Sequence, residues 1–177
     1  MEFIATEIPD VLIIKGKRFP DERGFFSELY KEKLFGENGV PHFIQDNMSE
    51  SRAGVLRGLH WQAEPHGQGK LVTCITGSII DVAVDVRPDS PHYGKHVAVI
   101  LDSREPISLW VPEGFAHGFQ ALENGTRVFY KVTNYWNKES ERALNPLDPR
   151  LGIKWSQKEF ILSDKDAEAP NFDSIVL

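Results

Sequence analysis

Short stretches of β-branched residues, closely spaced along most of the chain, constrain the fold more than any other feature of the sequence. Within residues 79–87, for example, Ile80, Val82, Val84 and Val86 share one face, which is the two-residue period of a β-strand. Turn-forming Gly, Pro, Asp and Ser residues separate the stretches, and helical patterns are few. Many short strands with turn signals between them predict an all-β sandwich or barrel.

Helical signals are restricted to two short segments. Residues 31–38 can form a helix, because Gly39 suits the first position after a helix end and Pro41 follows shortly. The tail, residues 144–177, contains several prolines and predicts coil with one short helix begun by Ser163 as N-cap.

Length and composition exclude several classes of protein. A chain of 177 residues with no internal repeat and no linker indicates one domain. Its net charge is −6 and it has no Lys/Arg run, so we expect no extended nucleic-acid surface. The apolar runs are too short to span a membrane, and the first residues do not resemble a secretory signal. The single Cys74 excludes an intramolecular disulfide, and we expect it to be a buried, inert thiol in a cytoplasmic protein.

The stretch 55–62 carries the residues that most suggest chemistry. Strand alternation places Arg57 and Leu59 on one face, and Gly58 and His60 on the other. Since Gly58 has no side chain, it leaves space for a ligand beside the imidazole. A titratable ring next to a gap and near a fixed cation can remove a proton from an anionic substrate. A packed strand with a hydrogen-bonded histidine explains the same residues equally well.

Metal binding is the first alternative. Barrels of this type often bind a metal through a His-x-His pair followed by an acid, but here His60 is followed by Gln62. His66 and His117 are available, yet no pair of histidines has the spacing of metal ligands. We therefore expect no metal, although a metal-dependent cupin oxygenase or isomerase stays an alternative.

Nine blocks of sequence point to one family. They are DERGFF at 21–26, QDNMSES at 45–51, VLRGLHWQ at 55–62, QGKLV at 68–72, DVAVDVR at 81–87, SPHYG at 90–94, PEGFAHGF at 112–119, YKVTNY at 130–135 and LSDKDAEAP at 162–170. In this order, and over nearly the whole chain, they resemble the dTDP-4-dehydrorhamnose 3,5-epimerase family.

The resemblance implies a fold and a reaction. The family folds as a double-stranded β-helix, a jelly roll of the cupin type with short peripheral helices, and acts as a homodimer without metal or other cofactor. It converts dTDP-4-dehydro-6-deoxy-D-glucose to dTDP-4-dehydro-L-rhamnose by enolisation and reprotonation at C3 and C5. Residues 1–177 would form a single domain whose N-terminal segment is exchanged with the partner subunit.

The resemblance also implies roles for individual residues. His60 would be the base, Asp166 its orienting partner, Tyr130 the proton donor on the opposite face of the sugar, and Lys70 the contact of the C4 oxygen. The residues that match substrate-contacting positions are Gln45, Asn47, Arg57 and His117, and those that match positions supplied by the partner subunit are Arg23, Phe26 and Glu28. Trp136 stands where the family often has a tyrosine and would stack on the nucleobase.

Without the resemblance, purely structural roles for these residues remain possible. Asp166 can be a solvated acid at a helix start, Tyr130 a core aromatic, and Lys70 a surface lysine at a strand end. Asp81 or Asp85 can be an acid that supports His60 or His117. The competing functions are a related nucleotide-sugar 3-epimerase or 5-epimerase for another deoxysugar, and a non-catalytic carbohydrate-binding jelly roll.

Overall fold

The chain folds into two antiparallel β-sheets with short helices at their periphery, as seen in a computed structural model that describes residues 1–156 and 159–175. The strands are β1 (Glu2–Ala5), β2 (Leu12–Lys15), β3 (Arg18–Asp21), β4 (Gly24–Ser27), β5 (Gln45–Ser51), β6 (Leu56–Gln62), β7 (Lys70–Thr76), β8 (Ser78–Asp85), β9 (His96–Asp102), β10 (Ile107–Val111), β11 (Phe115–Ala121), β12 (Thr126–Val132) and β13 (Glu141–Ala143). The helices are α1 (Glu32–Glu37) and α2 (Asp164–Ala167), with 3-10 turns at Pro149–Leu151 and Phe172–Ser174.

The two sheets have the crossed strand order of a jelly roll. The first has the order β1-β2-β10-β7-β12-β5 and the second the order β13-β6-β11-β8-β9. Neighbouring strands in each sheet are therefore often distant in sequence, and each of these pairings is antiparallel. The predicted all-β, cupin-like jelly roll is confirmed.

The main core lies between the two sheets. Val72, Leu109 and Val128 of the first sheet pack against Ile79 and Ala83 of the second, together with further buried apolar residues. Cys74 belongs to this core, and burial raises the pKa of its thiol to about 11. The prediction of a buried thiol is confirmed.

The outer face of each sheet is covered by the few elements that are not strands. Phe35 of α1 packs with Ile14, Leu71 and Trp110 on the outside of the first sheet. The C-terminal tail covers the outside of the second sheet, where Leu144, Leu151 and Phe172 pack with Leu59 and Trp61, among other residues. Both predicted helices are present, and the Ser163 hydroxyl accepts a hydrogen bond from the Asp166 amide at 3.2 Å, as expected of an N-cap.

The hairpin of β3 and β4 belongs to neither sheet. Its two strands pair only with each other among the described residues. Phe19, Phe25 and Phe26 are 52%, 58% and 64% exposed on it. Three exposed aromatic rings on one isolated hairpin form an apolar surface that an isolated chain leaves in water.

One sequence expectation about β6 is wrong. A β-bulge interrupts its pairing with β11, where Arg57 and His60 lie opposite Phe119 and His117. Because the bulge adds one residue to β6, alternation is broken there, and Arg57 and His60 line the same cavity while Leu59 points to the outer core.

The gap that we expected at Gly58 is also absent. Its φ is +102°, and a Cβ atom there would lie 2.5 Å from the His117 carbonyl oxygen and 2.7 Å from the Gly118 Cα. The missing side chain therefore admits the backbone of β11, not a ligand.

Candidate active site

A cavity of about 670 Å³ opens between the sheets. Nine of the twelve site residues predicted from the sequence line its wall. They are Gln45, Asn47, Arg57, His60, Lys70, His117, Tyr130, Trp136 and Asp166. These residues come from β5, β6, β7, β11, β12, the loop after β12 and α2, so they meet only in the folded chain.

His60 and Asp166 form a dyad across 106 residues of sequence. The His60 Nε2 and Asp166 Oδ1 atoms are 2.5 Å apart, and Asp166 is only 4% exposed. Burial opposes the ionisation of Asp166, but the hydrogen bond and the charge of His60 outweigh it and lower the pKa of the carboxyl group. A buried carboxylate so placed fixes the orientation of the imidazole and stabilises its protonated form. The reading of Asp166 as a solvated acid is wrong.

Lys70 is a buried cation beside this dyad. Its Nζ atom donates a hydrogen bond to the His60 carbonyl oxygen at 3.0 Å. Burial lowers the pKa of Lys70 to about 8, and the negative charges of Asp81 and Glu141 offset part of that effect. The reading of Lys70 as a surface lysine is therefore wrong, because the ammonium group lies in the wall of the cavity.

Tyr130 lines the cavity from the first sheet, whereas His60 lines it from the second. Burial raises the pKa of the phenol above its usual range, and the charge of Arg57 opposes this only in part. Tyr130 is therefore a neutral phenol at pH 7, with a proton to give. Arg57 itself is anchored by hydrogen bonds to the Ser51 hydroxyl at 3.0 Å and the Glu50 carbonyl oxygen at 3.1 Å.

His117, which lines the cavity, forms a second histidine–aspartate pair with a buried acid. His117 lies directly opposite His60 in the strand pairing, and its Nε2 atom is 2.7 Å from Asp81 Oδ1. Asp81 is fully buried, and its Oδ2 atom has no hydrogen-bond partner in the described part of the chain. Of the two acids left open by the sequence, Asp81 supports His117, while Asp85 binds Arg87 at 2.6 Å.

Gln45, Asn47 and Trp136 are the remaining predicted residues in the cavity wall. Gln45 Nε2 donates to Asn47 Oδ1 at 2.8 Å on β5. Trp136 is 58% exposed and forms part of the cavity wall.

Sequence reasoning missed Glu141, which also lines the cavity and binds Lys165 at 2.7 Å. Burial opposes its ionisation, but the ion pair with Lys165, a hydrogen bond from the Trp136 side chain and the charge of His60 together outweigh burial and lower the pKa of the carboxyl group. Glu141 lies on β13, a three-residue edge strand without periodicity, so only its charge could have marked it.

The three remaining predicted residues lie outside the cavity of their own chain. Arg23 is exposed in the hairpin turn and binds Asp21 at 2.6 Å, and Phe26 is exposed on β4. Glu28 follows β4 and binds Lys31 at 3.0 Å.

Two further observations concern ligands and membranes. No cluster of three or more His, Cys, Asp or Glu side chains suited to a metal occurs within residues 1–156 and 159–175. In the same residues, no helix is long and apolar enough to cross a membrane.

Comparisons with known proteins agree with this geometry. A family model described as dTDP-4-dehydrorhamnose 3,5-epimerase matches residues 5–174. The chain is 48% identical over 174 residues to the dTDP-4-dehydrorhamnose 3,5-epimerase of Shigella flexneri, covering 97% of this chain and 96% of that protein.

Solved structures show the same relationship. The Legionella pneumophila epimerase RmlC, in complex with dTDP-4-keto-L-rhamnose, superimposes with a TM-score of 0.95 at 44% identity, covering 99% of this chain and 94% of that one. ChmJ, a 3'-monoepimerase from Streptomyces bikiniensis in complex with dTDP-quinovose, superimposes with a TM-score of 0.90 at 31% identity. The match covers 94% of this chain and 86% of that one. The chain belongs to the dTDP-4-dehydrorhamnose 3,5-epimerase family.

Proposed function

We propose that the protein is a dTDP-4-dehydrorhamnose 3,5-epimerase that converts dTDP-4-dehydro-6-deoxy-D-glucose to dTDP-4-dehydro-L-rhamnose. The observation that carries the proposal is the His60–Asp166 dyad, in which a buried carboxylate holds an imidazole that faces the same cavity as Lys70 and Tyr130. The family membership supports the same reaction.

The chemistry of the substrate explains why these side chains suffice. The C4 ketone acidifies the protons on both neighbouring carbons, C3 and C5, so one base on one face of the ring can serve both sites in turn. His60 would take each proton, and Asp166 would stabilise the imidazolium that forms. Negative charge then grows on the C4 oxygen, where the Lys70 ammonium would stabilise the enolate as an oxyanion donor does.

Inversion requires a second acid on the opposite face of the ring. Tyr130 lies on the facing sheet, and its raised pKa keeps the phenol protonated. An enolate is basic enough to accept a proton from such a phenol, so a raised pKa is compatible with proton donation. The Arg57 guanidinium would meet the diphosphate, His117 and the amides of Gln45 and Asn47 would contact the sugar nucleotide, and Trp136 would stack on the base.

The product decides between this reaction and that of a 3-epimerase. The substrate is incubated in deuterated water, and proton NMR shows which carbons exchange, while a coupled reductase that accepts only the L-sugar reports double inversion. Exchange at C3 and C5 with reduction of the product supports the proposal. Exchange at C3 alone would make the chain a monoepimerase, as ChmJ is described to be.

We also propose a homodimer in which the β3–β4 hairpin of each subunit covers the cavity of the other. The hairpin's exposed Phe19, Phe25 and Phe26 support this, since such rings are usually buried at an interface. Arg23, Phe26 and Glu28 would then complete the partner's site. The cytoplasmic location that we expect from the sequence stays a prediction.

Subunit complementation tests the exchange of the hairpin. Arg23→Ala and His60→Ala proteins, each nearly inactive, are mixed and allowed to exchange subunits. One site of the mixed dimer then carries both defects and the other neither, so we expect part of the activity to return. If mass spectrometry confirms exchange and no activity returns, the hairpin serves its own chain.

A further inference from the structure

Gln62 stands two residues after the base, on the same strand, and the reaction described above does not use it. Its side chain is only 5% exposed, so its amide is cut off from water. A buried amide must find partners within the protein. The hydrogen-bond partners of Gln62 therefore indicate its role.

The hydrogen bonds of Gln62 hold the backbone on both sides of Trp136. Nε2 donates to the Tyr135 carbonyl oxygen at 3.1 Å, and Oε1 accepts from the Asn137 amide at 2.6 Å. Nε2 also donates to the His66 carbonyl oxygen at 2.6 Å, so the same amide joins two loops. A short side chain thus fixes the residues immediately before and after the indole.

Trp136 needs such support because packing does little to hold it. Its side chain is 58% exposed although it lines the cavity. The Trp136 side chain has a hydrogen bond to the Glu141 carboxylate, but with so little packing around the ring its position depends mainly on the backbone that carries it. A flexible ring would lose conformational freedom whenever a ligand stacked on it.

We propose that Gln62 is a positioning residue that preorganises Trp136 as the platform for the nucleobase. The proposal rests on the proposed function, in which Trp136 stacks on the base of the dTDP-sugar. It gives a role to the position where the sequence has Gln62 in place of a second metal-ligating histidine. Because His60 and Gln62 share β6, one strand sets both the base that takes the proton and the ring that holds the nucleotide.

A double-mutant cycle on dTDP binding tests the proposal. Gln62→Met keeps the volume and removes all three hydrogen bonds, and Trp136→Ala removes the ring. We expect Gln62→Met to raise the Kd for dTDP about tenfold, which is about 1.4 kcal/mol, and to leave the Kd for inorganic pyrophosphate, which has no base, within about twofold. In the Trp136→Ala background, Gln62→Met should have no further effect on dTDP.

Kinetics and a matched control separate positioning from a general loss of structure. We expect Gln62→Met to raise KM for the dTDP-sugar while kcat stays within about threefold. Gln120→Met is the control, because Gln120 is a fully buried glutamine on β11 whose Oε1 accepts from the Ser156 amide at 2.9 Å, away from the cavity. Gln120→Met removes a buried amide just as Gln62→Met does, and it should leave the Kd for dTDP unchanged. If Gln62→Met does not fold, Gln62→Asn, which keeps an amide of shorter reach, should give the same pattern more weakly.

Three results with the Gln62 variants would overturn the proposal. The first is an unchanged Kd for dTDP in both Gln62→Met and Gln62→Asn. The second is that Gln62→Met weakens dTDP binding equally in the unmodified protein and in Trp136→Ala. The third is that Gln62→Met weakens the binding of pyrophosphate and of dTDP equally. If Trp136→Ala itself leaves dTDP affinity unchanged, the platform and the role of Gln62 both fall. Turnover of the 4-keto sugar by the unmodified protein would still test the proposed reaction independently.

Discussion

Replacing Lys70 by methionine should separate activity from stability, because the ammonium group that the reaction needs is buried at a cost to folding. The pKa of Lys70 is about 8 in the folded protein, against 10.5 for an ordinary lysine, and burial is the main cause. Since each pKa unit corresponds to about 1.36 kcal/mol, holding the charge inside costs about 3 kcal/mol at pH 7. Methionine has a similar length and no charge, so Lys70→Met removes this penalty.

Lys70→Met also loses a hydrogen bond. The Lys70 Nζ atom donates to the His60 carbonyl oxygen at 3.0 Å, and leaving a buried acceptor without a partner costs about 1–2 kcal/mol. The balance at pH 7 is a gain in stability of about 1–2 kcal/mol for Lys70→Met. The same substitution should lower kcat by about 10²–10³-fold, the usual effect of removing one donor to a developing oxyanion.

The sign of the stability difference should depend on pH. Between pH 8 and 10.5 the unfolded chain holds a proton on Lys70 that the folded protein has released, so the stability of the unmodified protein rises with pH relative to the variant. By pH 10 most of the 3 kcal/mol penalty is gone, and Lys70→Met should be the less stable protein.

Urea unfolding at pH 7 and pH 10, with both proteins at the same concentration, measures this reversal. A stability difference that is independent of pH, or a variant that is less stable at pH 7, would refute the assignment of a buried ammonium. The same pKa predicts that kcat/KM of the unmodified enzyme falls above about pH 8, as the ammonium is lost.

The dyad and the second acid give two further predictions. Asp166→Asn should lower kcat by about 10²-fold or more, because an amide cannot stabilise the imidazolium, whereas the exposed Asp164 on the same helix should tolerate Asn within about twofold. Equal, small losses in both variants would return Asp166 to a structural role. Tyr130→Phe should keep deuterium exchange at C3, since His60 still forms the enolate, but should lose inversion. If Tyr130→Phe inverts C3 and C5 normally, another group delivers the proton.

The fold could be predicted well because its signals are local. The alternating apolar residues of β8 and the turn residues around it give the strand directly, and Gly39 and Ser163 mark the ends of the two helices. Two-residue periodicity repeated over many short segments leaves few architectures besides a sandwich or barrel.

The site was harder because its chemistry depends on contacts between distant segments. Nothing local distinguishes Asp166 from Asp164, and only the resemblance to a family selected it; the structure then places Asp166 on the buried side of α2, against His60. The burial of Lys70 and the pairing of Asp81 with His117 depend on which strands become neighbours, and no strand carries that information alone. Glu141 was missed for the same reason.

The bulge in β6 is the feature that local patterning predicted wrongly, and it leads to a last prediction. Perfect alternation would separate Arg57 from His60, whereas the extra residue at Gly58 brings both into one cavity. Gly58→Ala would introduce a Cβ atom 2.5 Å from the His117 carbonyl oxygen at a φ of +102°. Either β6 must move away from β11, or the bulge must be lost, and both changes displace the base.

A second glycine supplies the matched control for this substitution. Gly125 has a φ of +71°, and a Cβ atom there would have nothing within 4 Å, so Gly125→Ala should cost only the left-handed backbone penalty of about 1–2 kcal/mol, with activity retained. Gly58→Ala should cost more, about 3 kcal/mol or above, because overlap with the β11 backbone adds to a similar penalty. It should also lower kcat/KM, since His60 and Arg57 lie on either side of the strained residue. Urea unfolding of Gly58→Ala and Gly125→Ala measures their stabilities, and turnover measures their kcat/KM. Equal stability losses with full activity at Gly58→Ala would show that the cavity does not depend on the bulge.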